Sequence, residues 1–159
     1  MANFDEVIQN SLVCLDMTES DGHCVVTRLI ERAAAQGLLS PKHTNEAIKA
    51  VMNREMSAST AMPDGIALPH GRMDCVTDIV CMIGIHPKGV DFGAPDNQAT
   101  HIIVLLLVPN AVGCNYIHFL ANLSRRLMET SVRNEMVGAS TREQVLNAIL
   151  SNSDEGSLS

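Results

Sequence analysis

Ile102-Ile103-Val104-Leu105-Leu106-Leu107-Val108 contains no polar side chain and is closed by Pro109-Asn110. A strand with one wet face alternates apolar and polar residues. A run that is apolar at every position reads instead as a strand buried on both faces. Ile79 to Ile85 is a second run of this kind, and the polar segment Pro87 to Thr100 is expected to loop between the two. Two such strands need helices on both sides, which sets the fold class as α/β: a small mixed sheet with helices covering each face. Neither run is long enough to cross a bilayer.

Outward from these strands, helical and turn signals alternate. Phe4 onward reads as a brief helix and Ser11 to Met17 as a strand. Val25, Val26, Leu29, Ile30, Ala33 and Ala34 recur at helical spacing, with Gly37 as the stop. Ser40-Pro41 suggests an N-cap and first helical residue for a helix that buries Ala47, Ile48, Val51 and Met52 and ends near Glu55. From Met56 to Arg72 the period fails. Turn chemistry brackets a short expected strand, Ile66-Ala67-Leu68, and Pro69-His70-Gly71 reads as a turn. A helix opens at Asn115, with Ile117, Leu120, Ala121, Leu127 and Met128 expected along one side, and a short helix follows from Ser131. The last helix is expected to begin with the capping box Ser140-Thr-Arg-Glu143. The expected domain covers residues 4–150, and the polar stretch 151–159 reads as a disordered, solvated tail.

The chain has 159 residues, a formal net charge of −7 and 3% aromatic residues with no Trp. A nucleic-acid reader needs a basic footprint or stacking platforms, so nucleic acid is not an expected partner. Its five cysteines are odd in number and never spaced Cys-x-x-Cys, so they read as buried or free thiols of a reducing, cytoplasmic compartment. No basic-then-apolar leader opens the sequence, and direct membrane insertion is not expected.

Most sharp motifs are missing. No Gly-rich dinucleotide or nucleotide cradle occurs, no Gly-x-Ser-x-Gly elbow and no His-Glu-x-x-His, so no cofactor or metal is expected. Of the six histidines, His23, His43, His86 and His101 read as helix-start or strand-edge residues with structural roles. His70 stands apart. Pro69 fixes the backbone before it, Gly71 brings no side chain after it, and Arg54 and Arg72 are cations close enough in sequence to favour an anion on its ring.

Arg54-Glu55, Ser59-Thr-Ala-Met-Pro-Asp64 and Gly65-Ile-Ala-Leu-Pro-His-Gly-Arg72 together resemble the active-site signature of bacterial phosphotransferase-system IIA domains. The likeness is to the fructose–mannitol type, which includes the nitrogen-regulatory branch. Gly89-Val-Asp-Phe-Gly-Ala94, Ile102 to Pro109, His118-Phe-Leu-Ala-Asn-Leu-Ser-Arg-Arg-Leu127 and Ala139 to Leu146 fit the same pattern in the same order. The resemblance implies that His70 accepts a phosphoryl group on Nε2 from an HPr-type histidine phosphocarrier protein and passes it to a IIB partner in sugar uptake. It implies that His118 is a second histidine helping to hold the group, and that Arg54 and Arg72 stabilise its charge. The alternative it carries is a stand-alone regulator that controls target proteins by the phosphorylation state of His70. The chain departs from the pattern at Ala61-Met-Pro-Asp64, where many relatives have Gly-Ile-Gly-Asn.

Overall fold

The computed structural model describes residues 3–111 and 114–151; the expectation of a disordered tail concerns residues beyond these. The strands are β1 (Leu12–Cys14), β2 (Ala61–Met62), β3 (Ile66–Ala67), β4 (His70–Met73), β5 (Val80–Val90) and β6 (Thr100–Pro109). The helices are α1 (Phe4–Gln9), α2 (Gly22–Ala35), α3 (Thr44–Ser57), α4 (Cys114–Leu127), α5 (Thr130–Val137) and α6 (Arg142–Leu150).

β6 is buried on both faces, as its composition predicts, and its side chains divide the core in two. Ile102, Val104, Leu106 and Val108 pack with residues of α1, α4, α5 and α6. Ile103, Leu105 and Leu107 point the other way, into a cluster with Val25, Leu29, Ala47 and Val51 of α2 and α3. Each fully buried Leu or Ile contributes about 1.5–3 kcal/mol relative to exposure, which makes this strand the mechanical centre of the domain.

The sheet is mixed and runs β1-β5-β6-β3-β2, with β4 also on β6. β1 lies parallel to β5, β5 antiparallel to β6, and β2 antiparallel to β3. β3 and β4 both run parallel to β6 on its free side, with the same register: Ile66 faces Ile102 and His70 faces Leu106. They are therefore one strand interrupted at Leu68-Pro69. Pro69 has no N–H to offer, yet its carbonyl still accepts from Leu106 N at 3.0 Å and holds the interrupted strand in place.

Several local expectations shift. The Pro69-His70-Gly71 segment pairs as the start of β4 where turn chemistry alone suggested a turn. β5 does not stop at Ile85; it runs through Pro87 to Val90, with an irregular register before Val90 pairs with Thr100. A bulge is where a strand tolerates proline, so the connecting loop is shorter than expected. β1 is shorter than its apolar run, because Asp16 turns into the left-handed region with φ of 55°. Pro41 opens a 3-10 turn, Pro41–His43, ahead of α3, and Ser40 makes no side-chain cap. The capping box of α6 lies one residue on: Thr141 accepts from Gln144 N, and the Gln144 side chain reaches back to the cap backbone.

α4 shows the largest change of phase. Its inner face is Tyr116, Phe119, Leu123 and Leu127, while Ile117 and Met128 stand in solvent at 67% and 68% exposure. Alternation along β6 creates a greasy surface on the α4 side, and the two bulky rings fill it better than Ile117 and Ala121 could. No described helix is long and apolar enough to cross a membrane.

Candidate functional site

Because β4 lies in register with β6, His70 points to the same side of the sheet as Leu106, the side covered by α4. Arg72, two residues on, shares that side by the two-residue period of a strand. Gly71 and Met73 point back toward α3.

His70 is half-buried at the start of β4. Its Nδ1 lies 3.1 Å from the carbonyl oxygen of Leu68. A carbonyl only accepts, so Nδ1 carries the proton, and Nε2 of the neutral ring keeps its lone pair. The interruption at Leu68-Pro69 is what turns this carbonyl toward the ring. The imidazole forms part of the wall of a shallow pocket of about 270 Å³, with Thr60, Leu68, Leu120, Ala121 and Ser124.

The loop after α3 is tied to its helix from two sides. The Glu55 carboxylate accepts from Thr60 N at 2.9 Å and from the Thr60 hydroxyl at 2.6 Å. Arg54 Nη1 donates to the Ala58 carbonyl at 2.9 Å, which places its charge at the negative end of the α3 dipole. The Ser59 hydroxyl donates to Phe92 O at 2.6 Å and so anchors the loop to the segment after β5. Thr60 is thereby fixed at the rim of the pocket, a role that residue-by-residue reading missed although Glu55 and Thr60 stand at the right spacing.

Tyr116 of α4 is the neighbour of His70 from the other side, their ring centroids 6.3 Å apart and tilted by 59°. Burial pushes its phenol above the ordinary range; the positive charges of Arg72, and then of Arg54, pull the other way with smaller effect. Both guanidinium charges are therefore felt at Tyr116, the α4 neighbour of His70. Arg72 shares the His70 side of β4, and Arg54 holds the last turn of the neighbouring α3.

His118 points elsewhere. It is exposed on α4, two residues beyond Tyr116, and residues two apart on a helix point to nearly opposite sides. With Tyr116 turned inward against His70, His118 turns outward. The α4 side chain that stands against His70 is that of Tyr116, which reading for histidines alone overlooked. The signal was present: this is the chain's single Tyr, and it falls on the 3.6-residue stripe of Phe119, Leu123 and Leu127.

Gly71 also has a different cause from the one its neighbours suggest. A Cβ there would sit 3.0 Å from both Cγ2 and backbone N of Val51. It lets α3 approach β4 and does not open the ring to a partner.

His86, His101 and His43 make structural contacts away from His70. His86 is buried and bonds Glu19 O through Nε2 at 2.8 Å. His101 bonds the His86 carbonyl through Nδ1 at 3.0 Å. His43 pairs with the exposed Glu46 at 3.1 Å. His43, Glu46 and Cys75 are the group of described residues whose ligand atoms lie within 4.8 Å of one another. They come from the start of α3 and the turn after β4, and they are not among the residues facing the His70 pocket.

The family model for EIIA 2 of the phosphoenolpyruvate-dependent sugar phosphotransferase system matches residues 6–152. The chain belongs to this family. Among curated relatives it is 28% identical to the fructose-specific EIIA component of Haloferax volcanii, over 84% of this chain and 86% of that one. It is 30% identical to the nitrogen regulatory protein of Klebsiella oxytoca, over 94% of each. It spans only 22% of the fructose-specific EIIABC component of Bacillus subtilis. Solved structures share the fold. The nitrogen regulatory protein IIA-Ntr of Neisseria meningitidis superposes with a TM-score of 0.79 at 23% identity, covering 91% of this chain and 97% of that one. Enzyme IIA mannitol of Escherichia coli, solved in complex with phosphorylated enzyme IIB mannitol, gives 0.73 at 20% identity over 87% and 94%. The EIIA 2 family thus includes both sugar-specific and nitrogen-regulatory relatives of this chain.

Proposed function

We propose that the chain works as a phosphocarrier in which Nε2 of His70 is the phosphoryl acceptor. The observation that carries this is the bond from Nδ1 to the Leu68 carbonyl, which leaves Nε2 unprotonated at the edge of an open pocket. The donor is a histidine phosphocarrier protein of the HPr type. Its P–N bond breaks, its ring nitrogen keeps the electron pair, and His70 Nε2 forms the new P–N bond in line. The proton on Nδ1 stays where it is. In the second step the His70 P–N bond breaks, Nε2 keeps its electron pair, and a nucleophile of the IIB partner forms the new bond to phosphorus.

Such a transfer is positioning and charge stabilisation more than bond-making by the protein. Arg54 and Arg72 supply the positive field for the phosphoryl oxygens in a chain whose net charge is −7. The donor arrives already charged with its phosphoryl group, so the step needs no bound cofactor or metal. Both encounters have to be brief, which suits a half-buried ring at a shallow opening and small interfaces. The reading places this exchange, and the chain with it, in the cytoplasm.

Incubation with phosphoenolpyruvate, enzyme I and the HPr-type carrier should give an acid-labile phosphate on His70. Labelling that survives in the His70→Ala variant would overturn the assignment.

A second reading follows from the full-length likeness to a nitrogen regulatory protein. In it the same phosphorylation sets which target proteins the domain binds, and no sugar-specific IIB is served. Prompt transfer to a IIB protein supports transport; a pull-down whose partners differ between His70→Ala and His70→Asp supports regulation.

A further inference from the structure

We propose that the hydroxyl of Tyr116 is the second hydrogen-bond donor to the phosphoryl group carried on His70. This rests on the phosphocarrier reading above and adds to it the group that completes the site.

Tyr116 is 6% exposed, yet its hydroxyl is buried without a hydrogen-bond partner. Buried polar groups are almost always satisfied, so an orphaned phenol beside a candidate reactive ring calls for a partner that comes and goes. Its position suits that partner. The ring lies 6.3 Å from the His70 ring by centroid. Tyr116, Leu120 and Ser124 follow one another at i, i+4 and i+8 along α4, and the last two line the His70 pocket. The phenol therefore heads the stripe of α4 that faces the acceptor, and Arg54 and Arg72 project their charge onto it.

The chemistry fits an anion. Burial keeps the phenol protonated through the neutral range, so it donates and does not repel. A bond from a neutral donor to an ionised oxygen is among the stronger kinds. A phenol also behaves differently from the second imidazole that the family resemblance led us to expect at this site. An imidazole gains and loses a proton near neutrality and would make retention of the phosphoryl group pH-dependent. A phenol does not, so this chain should hold its phosphoryl group equally well from pH 6 to 8 as far as this partner is concerned.

The test is the equilibrium of phosphoryl exchange between the HPr-type carrier and this protein, measured at pH 6, 7 and 8. The proteins compared are the wild type, Tyr116→Phe, Tyr116→His and His118→Ala. Tyr116→Phe keeps the ring and its packing, and a thermal melt of the unphosphorylated protein checks that the fold is kept. We expect it to shift the exchange at least about tenfold toward the carrier, the loss of one bond to a charged group. Tyr116→His should recover much of that shift and bring in a pH dependence that the wild type lacks. His118→Ala should stay within about twofold of wild type, as expected for a side chain that faces solvent. Wild-type exchange in Tyr116→Phe, or a tenfold loss in His118→Ala, overturns the inference and leaves His70 as acceptor. A wild-type protein that takes no phosphoryl group at His70 overturns both.

Discussion

Two arginines separate charge from structure at the residue scale. Arg72 is exposed on β4 and its contribution is its field, so Arg72→Gln should slow phosphoryl loading by about tenfold, the lower end for a solvent-screened donor to an anion. The same variant should melt at the wild-type temperature. Arg54 additionally bonds the Ala58 carbonyl. Arg54→Gln should therefore slow loading and also lower stability, by about 0.5–1 kcal/mol, since the last turn of α3 loses a capping bond. Stopped-flow loading and urea unfolding on the two variants separate these effects. If Arg72→Gln loads at the wild-type rate, the positive field over the pocket has been misassigned.

At the scale of elements, the packing of α3 on β4 holds the acceptor strand in place. Gly71→Ala puts a methyl group 3.0 Å from Val51 backbone and side chain, so α3 has to move or the strand has to bend. The expected cost is about 1–3 kcal/mol in urea unfolding, with a further loss of loading because the loop tied to Glu55 moves with α3. At the far end of the fold, Thr141→Ala removes the hydroxyl that caps α6 and should cost about 1 kcal/mol with no effect on loading. Elements are also where sequence reading succeeds and fails for visible reasons. β6 and α2 were legible because unbroken apolar runs and helical spacing are local signals. β4 was not, because Pro69-His70-Gly71 has turn chemistry and only the distant partner β6 makes it a strand. α4 was legible as a helix but not in phase. Ile117 and Met128 are apolar yet exposed, and the choice of Tyr116 and Phe119 for the inner face depends on the shape of the sheet they cover. His118 was named from the resemblance of its segment, and the local signal says nothing of which α4 side chain stands against His70. His70, Arg54 and Arg72 stood out in the sequence because short motifs carry them; Tyr116 did not, because its place beside His70 depends on a tertiary neighbour.

For the whole molecule, the sheet with a separate core on each face is what holds the His70 ring in one place. The same burial has a measurable consequence at high pH. The Cys81 thiol of β5, buried in the core, is pushed by burial up to about 12, with a smaller opposing pull from the Ser11 hydroxyl. An unfolded chain releases that proton from about pH 9, while the folded chain keeps it. Stability from this group is whole below pH 9 and falls between about pH 9 and 12, by about 1.4 kcal/mol per unit. Cys81→Ala should lose stability less steeply between pH 8 and 10 in urea unfolding. Native Cys81 should resist alkylation at pH 9, whereas the exposed Cys24 and Cys75 react.

The proposal that unites these scales is that an interrupted strand holds His70 with Nδ1 protonated and Nε2 free to accept a phosphoryl group. Nitrogen-15 and phosphorus-31 NMR of the protein incubated with phosphoenolpyruvate, enzyme I and the HPr-type carrier tests it directly. The account predicts an Nδ1–H tautomer before loading and a P–N bond to His70 Nε2 after it. An Nε2–H tautomer before loading, or a phosphoryl group on Nδ1 or on another residue, would contradict it.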